Sequence, residues 1–335
     1  MAFLKYIFFL LPSILFFGCY QVIEPDINFK PVLCINSLIS EGKPIVVNVT
    51  HTWFYTDLEG EQNHTVNDAT VRIFANGIEV DEDYLPKEGD TIRITAHSPT
   101  YGDAEGETTV PFKVPSCSFT YDLVKTHFEI LDESYPMNFR IIFNLNVKIK
   151  FSDIKETTDF YHISFEGFPD NDGNYPLLDS TDYTHVFFDY GRLKYEAEPL
   201  FYEHIGEVES VFDIDPDGFL FFTDRTFSGN EYTLNLQFIE SRFLVNSSKW
   251  DLSLLDCGLK IKLHSISESF YNWENYLWQI DSGIIGDMID MGFSEPIWAY
   301  SNISTGAGVI AAESYTPLTV NLQSDLEKIL LSEIN

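Results

Sequence analysis

Short alternating strands separated by turn signals constrain this chain more than any other feature. In residues 70–74 and 91–95, apolar and polar residues alternate, so that every second side chain faces the same side of a sheet. Asn76 and Gly77 form a type I′ hairpin signal, because both residues tolerate positive φ. Strands of this kind with turns between them are typical of an immunoglobulin-like β-sandwich, which we predict for residues 30–115.

The rest of the chain, residues 116–335, carries further strand patterns. We place the boundary at Pro115, because proline cannot donate a hydrogen bond to a β-ladder and tends to close strands. The strands predicted near this boundary and beyond it include residues 108–114, 139–151, 231–238, 259–265, 298–301, 308–312 and 318–322. Residues 324–334 have the pattern of a short terminal helix. The predicted fold class is therefore mainly β, with a sandwich followed by a larger β-rich domain.

One long helix interrupts this second domain. Ser265 and Glu268 form a Ser-x-x-Glu capping box, whose side chains accept hydrogen bonds from the N–H groups at a helix start. The apolar residues that follow recur at three- and four-residue spacing, which is typical of an amphipathic helix: Phe270, Trp273, Leu277, Ile280 and Ile284. We predict an amphipathic helix at about residues 267–289 that packs across the β domain.

The N-terminus has the pattern of a lipoprotein signal peptide. An apolar run at residues 7–17 follows a short basic segment, and the run is too short to span a bilayer comfortably. A glycine then precedes Cys19. We predict that residues 1–18 are removed, that Cys19 becomes the lipidated first residue with palmitate among its acyl chains, and that residues 19–29 form a tether. The alternative is an ordinary secretory peptide with an incidental cysteine.

The charge of the chain excludes one class of partner. Lys and Arg number 20 against 52 Asp and Glu, for a formal net charge of -32. A surface of this sign repels phosphate backbones, so we expect no nucleic-acid partner. Because the acids are scattered and do not form blocks, we interpret them as solubilising the protein outside the cytoplasm. Attraction of cations or of a basic partner is the alternative.

The cysteine content agrees with export but does not define a set of disulfide bonds. Without Cys19, three cysteines remain: Cys34, Cys117 and Cys257. An odd number cannot all pair within one chain. Cys34 lies in an apolar strand pattern and is interpreted as a small core residue. A bridge between Cys117 and Cys257 stays open.

One acidic segment matches the spacing of a calcium-binding loop. Asp213, Asp215 and Asp217 occupy positions one, three and five, glycine occupies position six, and Asp224 occupies position twelve. Calcium takes about six to eight oxygen ligands, and the glycine allows the sharp turn of the loop. The flanking segments have strand patterns, however, so an acidic β-turn is the alternative. Calcium is the one cofactor that the sequence raises.

The sequence offers no recognisable catalytic machinery. It contains neither a Gly-x-Ser-x-Gly elbow nor a His-Glu-x-x-His pair, and we predict no catalytic residues and no enzymatic activity. Gly306 and Gly308 match part of a dinucleotide fingerprint, but a strand follows where that motif requires a helix. Trp273 and Trp278 could stack on a sugar, although the position of Trp273 on the apolar stripe favours a core role.

Four motifs occur in order along the chain. They are Phe16-Phe17-Gly18-Cys19, the strand at residues 31–39, Asp224-x-x-Phe227-x-Gly229, and a C-terminal run of Phe-Ser-Glu-Pro, Tyr-Ser-Asn-Ile and Gly-x-Gly. In this order they resemble the signature of the Bacteroidota outer-membrane lipoproteins classed as the domain-of-unknown-function family DUF4249. By this resemblance the C-terminal run supplies structural residues: Phe293, Glu295, Pro296, Tyr300, Ser301, Asn302, Gly306 and Gly308.

The resemblance implies a location and a partner more than a chemistry. It implies a lipoprotein held in the outer membrane through Cys19, facing the cell surface or the periplasm. It also implies a non-enzymatic accessory subunit that captures a ligand for a TonB-dependent nutrient receptor. The first alternative is a surface binding or adhesion module that acts alone, with or without calcium. The second is a hydrolase that uses paired carboxylates.

Overall fold

The computed structural model describes most of the chain from residue 30 onward. It covers residues 30–53, 64–131, 137–154, 157–166, 185–189, 191–203, 219–247, 258–281 and 298–334. The strands are β1 Leu33–Ser40, β2 Asn48–His51, β3 Thr70–Ala75, β4 Ile78–Val80, β5 Thr91–Ser98, β6 Gly102–Thr109, β7 Cys117–Ile130, β8 Met137–Ser152, β9 Phe160–Glu166, β10 His185–Asp189, β11 Arg192–Leu193, β12 Phe221–Thr223, β13 Glu231–Ser247, β14 Gly258–Ile266 and β15 Ala307–Asn321. The α-helices are α1 Glu268–Asp281 and α2 Gln323–Ile334, and short 3₁₀ turns occupy Tyr195–Ala197 and Pro199–Tyr202. The predicted mainly β fold with one helix crossing a sheet is confirmed.

These strands form three sheets. A six-stranded sheet has the order β12-β9-β14-β15-β1-β2, a five-stranded sheet contains β10-β13-β8-β7 with β11 also on β13, and a four-stranded sheet has the order β4-β3-β5-β6. Within the six-stranded sheet, β15 pairs antiparallel with β14 and parallel with β1. The sheet therefore joins the beginning of the described chain to its end.

The larger core lies between the five-stranded and six-stranded sheets. Every second residue of β8 from Phe139 to Phe151 is buried, as the alternation of a half-buried strand requires. Opposite β8, buried side chains come from β9, β14 and β15, and α2 adds Leu326 and Leu330. Two sheets packed face to face in this way form a β-sandwich. The terminal helix predicted from residue 324 is present as α2, and it closes one end of this core.

The smaller core lies between the four-stranded sheet and the other half of the six-stranded sheet. Ile92 and Ile94 of β5 pack with Leu33 and Ile35 of β1, and β15 contributes Ile310. One sheet thus serves two cores, and it contains strands on both sides of Pro115. The domain limits at residues 30–115 and 116–335 remain a prediction.

Helix α1 begins one residue after the predicted start. Ser267 caps it, because its Oγ accepts a hydrogen bond from the N–H of Phe270 at 3.3 Å. The same oxygen also accepts a hydrogen bond from the N–H of Ala312 in β15 at 2.9 Å. Ser265, predicted as the cap, is instead paired within the sheet as part of β14. Helix α1 packs on the outer face of the six-stranded sheet through aromatic contacts: Phe270, Tyr271 and Trp278 with Phe160, Phe219 and Phe221. The predicted continuation to residue 289 lies outside the described residues. In the described part of the chain, no helix has the length and apolarity to cross a membrane.

Two of the predicted strands were misplaced. The strand predicted at residues 108–114 runs at Gly102–Thr109 instead, where glycine and acidic residues conceal the pattern. A Cβ on Gly106 would lie 2.6 Å from Cδ1 of Ile303, which forms a β-bridge with Gly106, so the Ile303 side chain would have to shift. The strand predicted at residues 298–301 is irregular chain, because its polar groups bind the edge of β15 through side chains and not through a ladder.

Candidate functional site

A groove of about 350 Å³ lies on the outer face of the six-stranded sheet, beside α1. It forms where β14 ends at Ile266 and the chain turns into α1, while β15 continues next to β1. Its base consists of residues from β1, β2 and β15, among them the short side chains Val309 and Ala311. The volume falls within the range of about 300–1,000 Å³ that is common for small-molecule sites.

Two asparagines supply the polar part of the groove. Asn36 and Asn48 stand directly opposite each other on the antiparallel strands β1 and β2, and both side chains are exposed. Oδ1 of Asn36 accepts a hydrogen bond from the N–H of Val309 at 3.1 Å. That bond fixes the carboxamide and uses neither hydrogen of its Nδ2 group. The pair therefore presents hydrogen-bond donors on the sheet surface.

Helix α1 supplies the aromatic and acidic part of the groove. Phe270, Trp273 and Glu274 line it and are each half-buried. Burial raises the pKa of the Glu274 carboxyl. Leu38 of β1 completes the apolar surface and is 47% exposed. The groove thus combines an aromatic surface with a few fixed polar groups, which is the usual composition of a ligand site.

A second cluster contains three carboxylates where the β12–β9 edge of this sheet meets the five-stranded sheet. Asp153 follows β8, Asp159 precedes β9 and Asp224 follows β12. One carboxylate oxygen from each lies within 4.8 Å of the others. Asp153 is 8% exposed and Asp224 is 2% exposed. We call this group the acidic cluster.

Hydrogen bonds hold the acidic cluster together. Asp153 accepts from the Tyr161 hydroxyl and, at 2.7 Å, from the N–H of Gly229. Asp159 accepts from Oγ1 of Thr157 at 2.6 Å. Burial raises the pKa of Asp159, and the negative charges of Asp153 and Asp224 raise it further. The hydrogen bond from Thr157 acts in the opposite direction but does not outweigh them. A proton or a cation would relieve this repulsion, and oxygen ligands of this kind suit calcium.

A chain of hydrogen bonds crosses four strands of the same sheet. Nδ1 of His264 lies 2.8 Å from Oε2 of Glu313, and Nε2 lies 2.8 Å from Oγ of Ser164. Ser40 donates to the other oxygen of Glu313 at 2.7 Å. Because a carboxylate only accepts, Nδ1 carries hydrogen, and in a neutral ring Nε2 accepts from Ser164. The order of groups is that of a Ser–His–acid triad.

Its histidine and its acid are buried, whereas Ser164 is half-buried. His264 is 7% exposed and Glu313 is 8% exposed. Burial would raise the pKa of Glu313, but its hydrogen bonds from His264 and Ser40 outweigh burial and hold the pKa below its usual range. The ionised carboxylate ties β1, β15, β14 and β9 together.

The residues of the C-terminal signature fasten β15 to its neighbours. The Asn302 carboxamide pairs with the backbone of Ile310, accepting from N–H at 2.9 Å and donating to the carbonyl at 2.8 Å. Ser301 donates to the carbonyl of Gly308 at 2.8 Å. Tyr300 is half-buried, and burial raises its pKa.

The two signature glycines allow β15 to approach β1 closely. A Cβ on Gly306 would lie 2.3 Å from the carbonyl oxygen of Leu33. A Cβ on Gly308 would lie 2.1 Å from that of Ile35, and Gly308 has a φ of +109°. Val309, which follows, is thereby placed in the base of the groove.

Several predicted site residues lie outside the described residues: Cys19, Asp213, Asp215, Asp217, Phe293, Glu295 and Pro296. Cys257 does as well, whereas Cys117 is a free thiol whose pKa burial raises to about 11. Asp224 is described, and the structure brings it to Asp153 and Asp159, neither of which the sequence indicated. Their separation along the chain gave no spacing signal.

Fold and site together define a mainly β protein with two cores and an open groove on a shared sheet. The family model for a domain of unknown function, DUF4249, matches residues 20–318. The chain therefore belongs to this family, as the order of its motifs predicted. Comparison with curated proteins and with solved structures found no match.

Proposed function

We propose that this protein is a non-enzymatic outer-membrane lipoprotein that captures a ligand for a TonB-dependent nutrient receptor. The observation that carries the proposal is the groove between α1 and the six-stranded sheet. It is open to solvent and of ligand size, and a hydrogen bond from Val309 already orients the Asn36 carboxamide in it. Family membership and the lipobox pattern at Cys19 support the location.

The length of the tether supports a membrane partner. Acyl chains on Cys19 would hold the protein to the membrane, and two or more chains make such an anchor stable. Residues 19–29 reach at most about 40 Å when fully extended. The folded part would therefore stay close to the bilayer. A receptor in the same membrane then meets the groove at a high effective concentration.

Co-purification tests this proposal. Outer membranes are solubilised mildly, and the full-length protein is recovered through a C-terminal tag. We expect one stoichiometric TonB-dependent barrel in the eluate. The control is Cys19→Ala, which keeps the folded part and removes the anchor, and with it we expect the barrel to be lost. Recovery of the lipidated protein alone would overturn the proposal.

The second candidate is a calcium-dependent surface module that acts alone, and the acidic cluster favours it. Two ligand sets now compete, the loop at residues 213–224 and the cluster of Asp153, Asp159 and Asp224. Millimolar calcium would raise the melting temperature in this case, because a ligand that binds only the folded state stabilises it. Loss of the shift in Asp159→Asn assigns it to the cluster, and loss in Asp213→Asn assigns it to the loop. An unshifted melting curve would eliminate this candidate.

A further inference from the structure

We infer that the groove beside α1 binds a neutral carbohydrate ring, with Trp273, Asn36, Asn48 and Glu274 as its contacts. This inference rests on the proposed function, since it names the class of ligand that the subunit captures. It departs from the interpretation of Trp273 as a core residue, because that side chain is half-buried and lines the groove.

The aromatic surface suits the C–H face of a sugar. Trp273 and Phe270 lie on consecutive turns of α1 and both line the groove. An indole face is electronegative, and the polarised C–H bonds of a pyranose carry partial positive charge. Packing of the ring against Trp273 therefore gains both apolar burial and favourable electrostatics. The opposite side of the groove then receives the hydroxyl groups.

The two asparagines suit adjacent hydroxyl groups. Directly opposed residues on antiparallel strands have Cβ atoms about 5 Å apart, so both carboxamides reach one ring. Asn36 offers the hydrogens of Nδ2, since its Oδ1 is held by Val309. Asn48 offers a donor and an acceptor. Hydroxyl groups both donate and accept, and they can use this mixed set.

Charge excludes the other small ligands that such a groove attracts. Among its described lining residues, Glu274 is the ionisable group, and no Lys, Arg or His is present. An anion would meet the carboxyl without a compensating cation. A cationic ligand would suit Trp273 and Glu274, but its charged nitrogen accepts no hydrogen bond and would leave the Nδ2 donors of Asn36 without an acceptor. A neutral polyol uses all of these groups.

Binding to named saccharides tests the inference. The probes are glucose, galactose, mannose, N-acetylglucosamine, cellobiose and maltose, each titrated to millimolar concentration against the mature lipidated protein in detergent. Saturation-transfer difference NMR reports which ring protons contact the protein, and calorimetry gives the Kd. We expect at least one saccharide to bind, and Trp273→Ala to weaken it about tenfold or more, as loss of a stacked aromatic group does.

Two further variants keep the test interpretable. Asn48→Ala removes an exposed side chain, leaves the fold intact and should also weaken binding severalfold. Trp298→Ala is the matched control, because Trp298 is 87% exposed and does not line the groove. It should bind with unchanged affinity. Equal losses in Trp298→Ala and Trp273→Ala would overturn the assignment to the groove.

The outcomes separate this inference from the proposed function. If the protein co-purifies with a barrel but binds none of the six saccharides, the carbohydrate class is overturned and the subunit role is left intact. If the protein binds a saccharide but no barrel co-purifies with it, the carbohydrate site is supported and the subunit role is overturned. Choline chloride, a quaternary ammonium that can contact the face of Trp273, serves as the cation probe. Choline binding that Trp273→Ala abolishes, without saccharide binding, overturns the carbohydrate in favour of a cation.

Discussion

The groove lies on the β15–β1–β2 side of the six-stranded sheet and the acidic cluster lies where its β12–β9 edge meets the five-stranded sheet, and the polar side chains of the two regions have different surroundings. In the acidic cluster, Asp153 and Asp224 are almost fully buried, and Asp153 accepts hydrogen bonds from Tyr161 and Gly229. In the groove, Asn36 and Asn48 are exposed. The carboxylates of the acidic cluster are mostly buried and bonded within the protein, whereas the two asparagine side chains of the groove are exposed to solvent.

This difference predicts which region matters for stability and which for binding. A buried polar group that loses its partner costs about 1–3 kcal/mol, because its desolvation is no longer compensated. An exposed polar group exchanges its partner for water at little cost. Substitutions in the acidic cluster should therefore lower stability, whereas substitutions of the exposed side chains that line the groove should lower affinity while the fold persists.

The largest loss of stability is expected where the base of the groove is built. Gly308→Ala places a Cβ 2.1 Å from the carbonyl oxygen of Ile35 at a φ of +109°. We expect the free energy of unfolding to fall by about 3 kcal/mol or more, because both the clash and the backbone strain oppose the pairing of β15 with β1. Urea denaturation measures it. Gly42→Ala is the control, with φ of +71° and no atom within 4 Å, and should lose about 1 kcal/mol. Equal losses would contradict the close approach.

The next largest effect is expected in the acidic cluster. Asp153→Ala leaves the Tyr161 hydroxyl and the Gly229 N–H without their acceptor. We expect a loss of about 2 kcal/mol, reduced from the sum of two lost bonds because repulsion with Asp159 and Asp224 is relieved. The midpoint of urea denaturation reports it. A variant as stable as the parent would contradict a net stabilisation by these two hydrogen bonds.

A pH dependence is expected from β9, the strand that begins beside the acidic cluster. The ring of His162 stacks on the ring of Phe221, with 4.1 Å between the ring centroids. Burial, together with the charge of the nearby His264, lowers the pKa of His162 to about 3. The unfolded chain then binds more protons between pH 6.5 and 3, so stability falls as pH drops through that window, by at most about 1.4 kcal/mol per pH unit.

The variant His162→Phe isolates this contribution. Phenylalanine keeps the stack on Phe221 and cannot be protonated, so the fall in stability below pH 6.5 should be smaller than in the parent. Above that pH the difference between the two proteins should be constant. Denaturation curves measured over this pH range give the free energy of unfolding of both proteins. If the two free energies change in parallel over the whole range, His162 does not titrate as described.

The smallest effect on stability is expected within the groove. Asn48→Ala removes an exposed side chain on the short strand β2. We expect a change of less than about 0.5 kcal/mol in the free energy of unfolding, since surface substitutions away from special features rarely exceed this. Chemical denaturation tests it alongside Asp153→Ala. A loss comparable to that of Asp153→Ala would remove the contrast between the two regions.

Local pattern was enough to predict much of the fold. Alternation predicted β3 and β5, and the three- and four-residue spacing after Ser265 predicted α1. These signals are short-range, because strand and helix periodicity are properties of neighbouring residues. The cap moved to Ser267 because Ser265 is paired with β9 and β15, which local sequence does not report.

The site could not be predicted in the same way. The parallel pairing of Cys34 with Ala307 joins residues from the two ends of the chain, and the base of the groove depends on it. Asp153 and Asp224 likewise meet only because the ends of β8 and β12, from two different sheets, come together. The family signature marked the right segment, since Asn302 and Gly308 hold β15, but it could not say what β15 helps to form.

The most direct test of the contrast is hydrogen–deuterium exchange on the mature lipidated protein, with and without a mixture of the six saccharides. Bound ligand slows the local opening that exchange requires. We predict slower exchange in residues 33–51 of β1 and β2 and in residues 268–281 of α1, with no change around Asp153 and Asp224. Unchanged exchange in those segments, or slowing confined to residues 153–161 and 221–229, would contradict the assignment of the groove as the binding site.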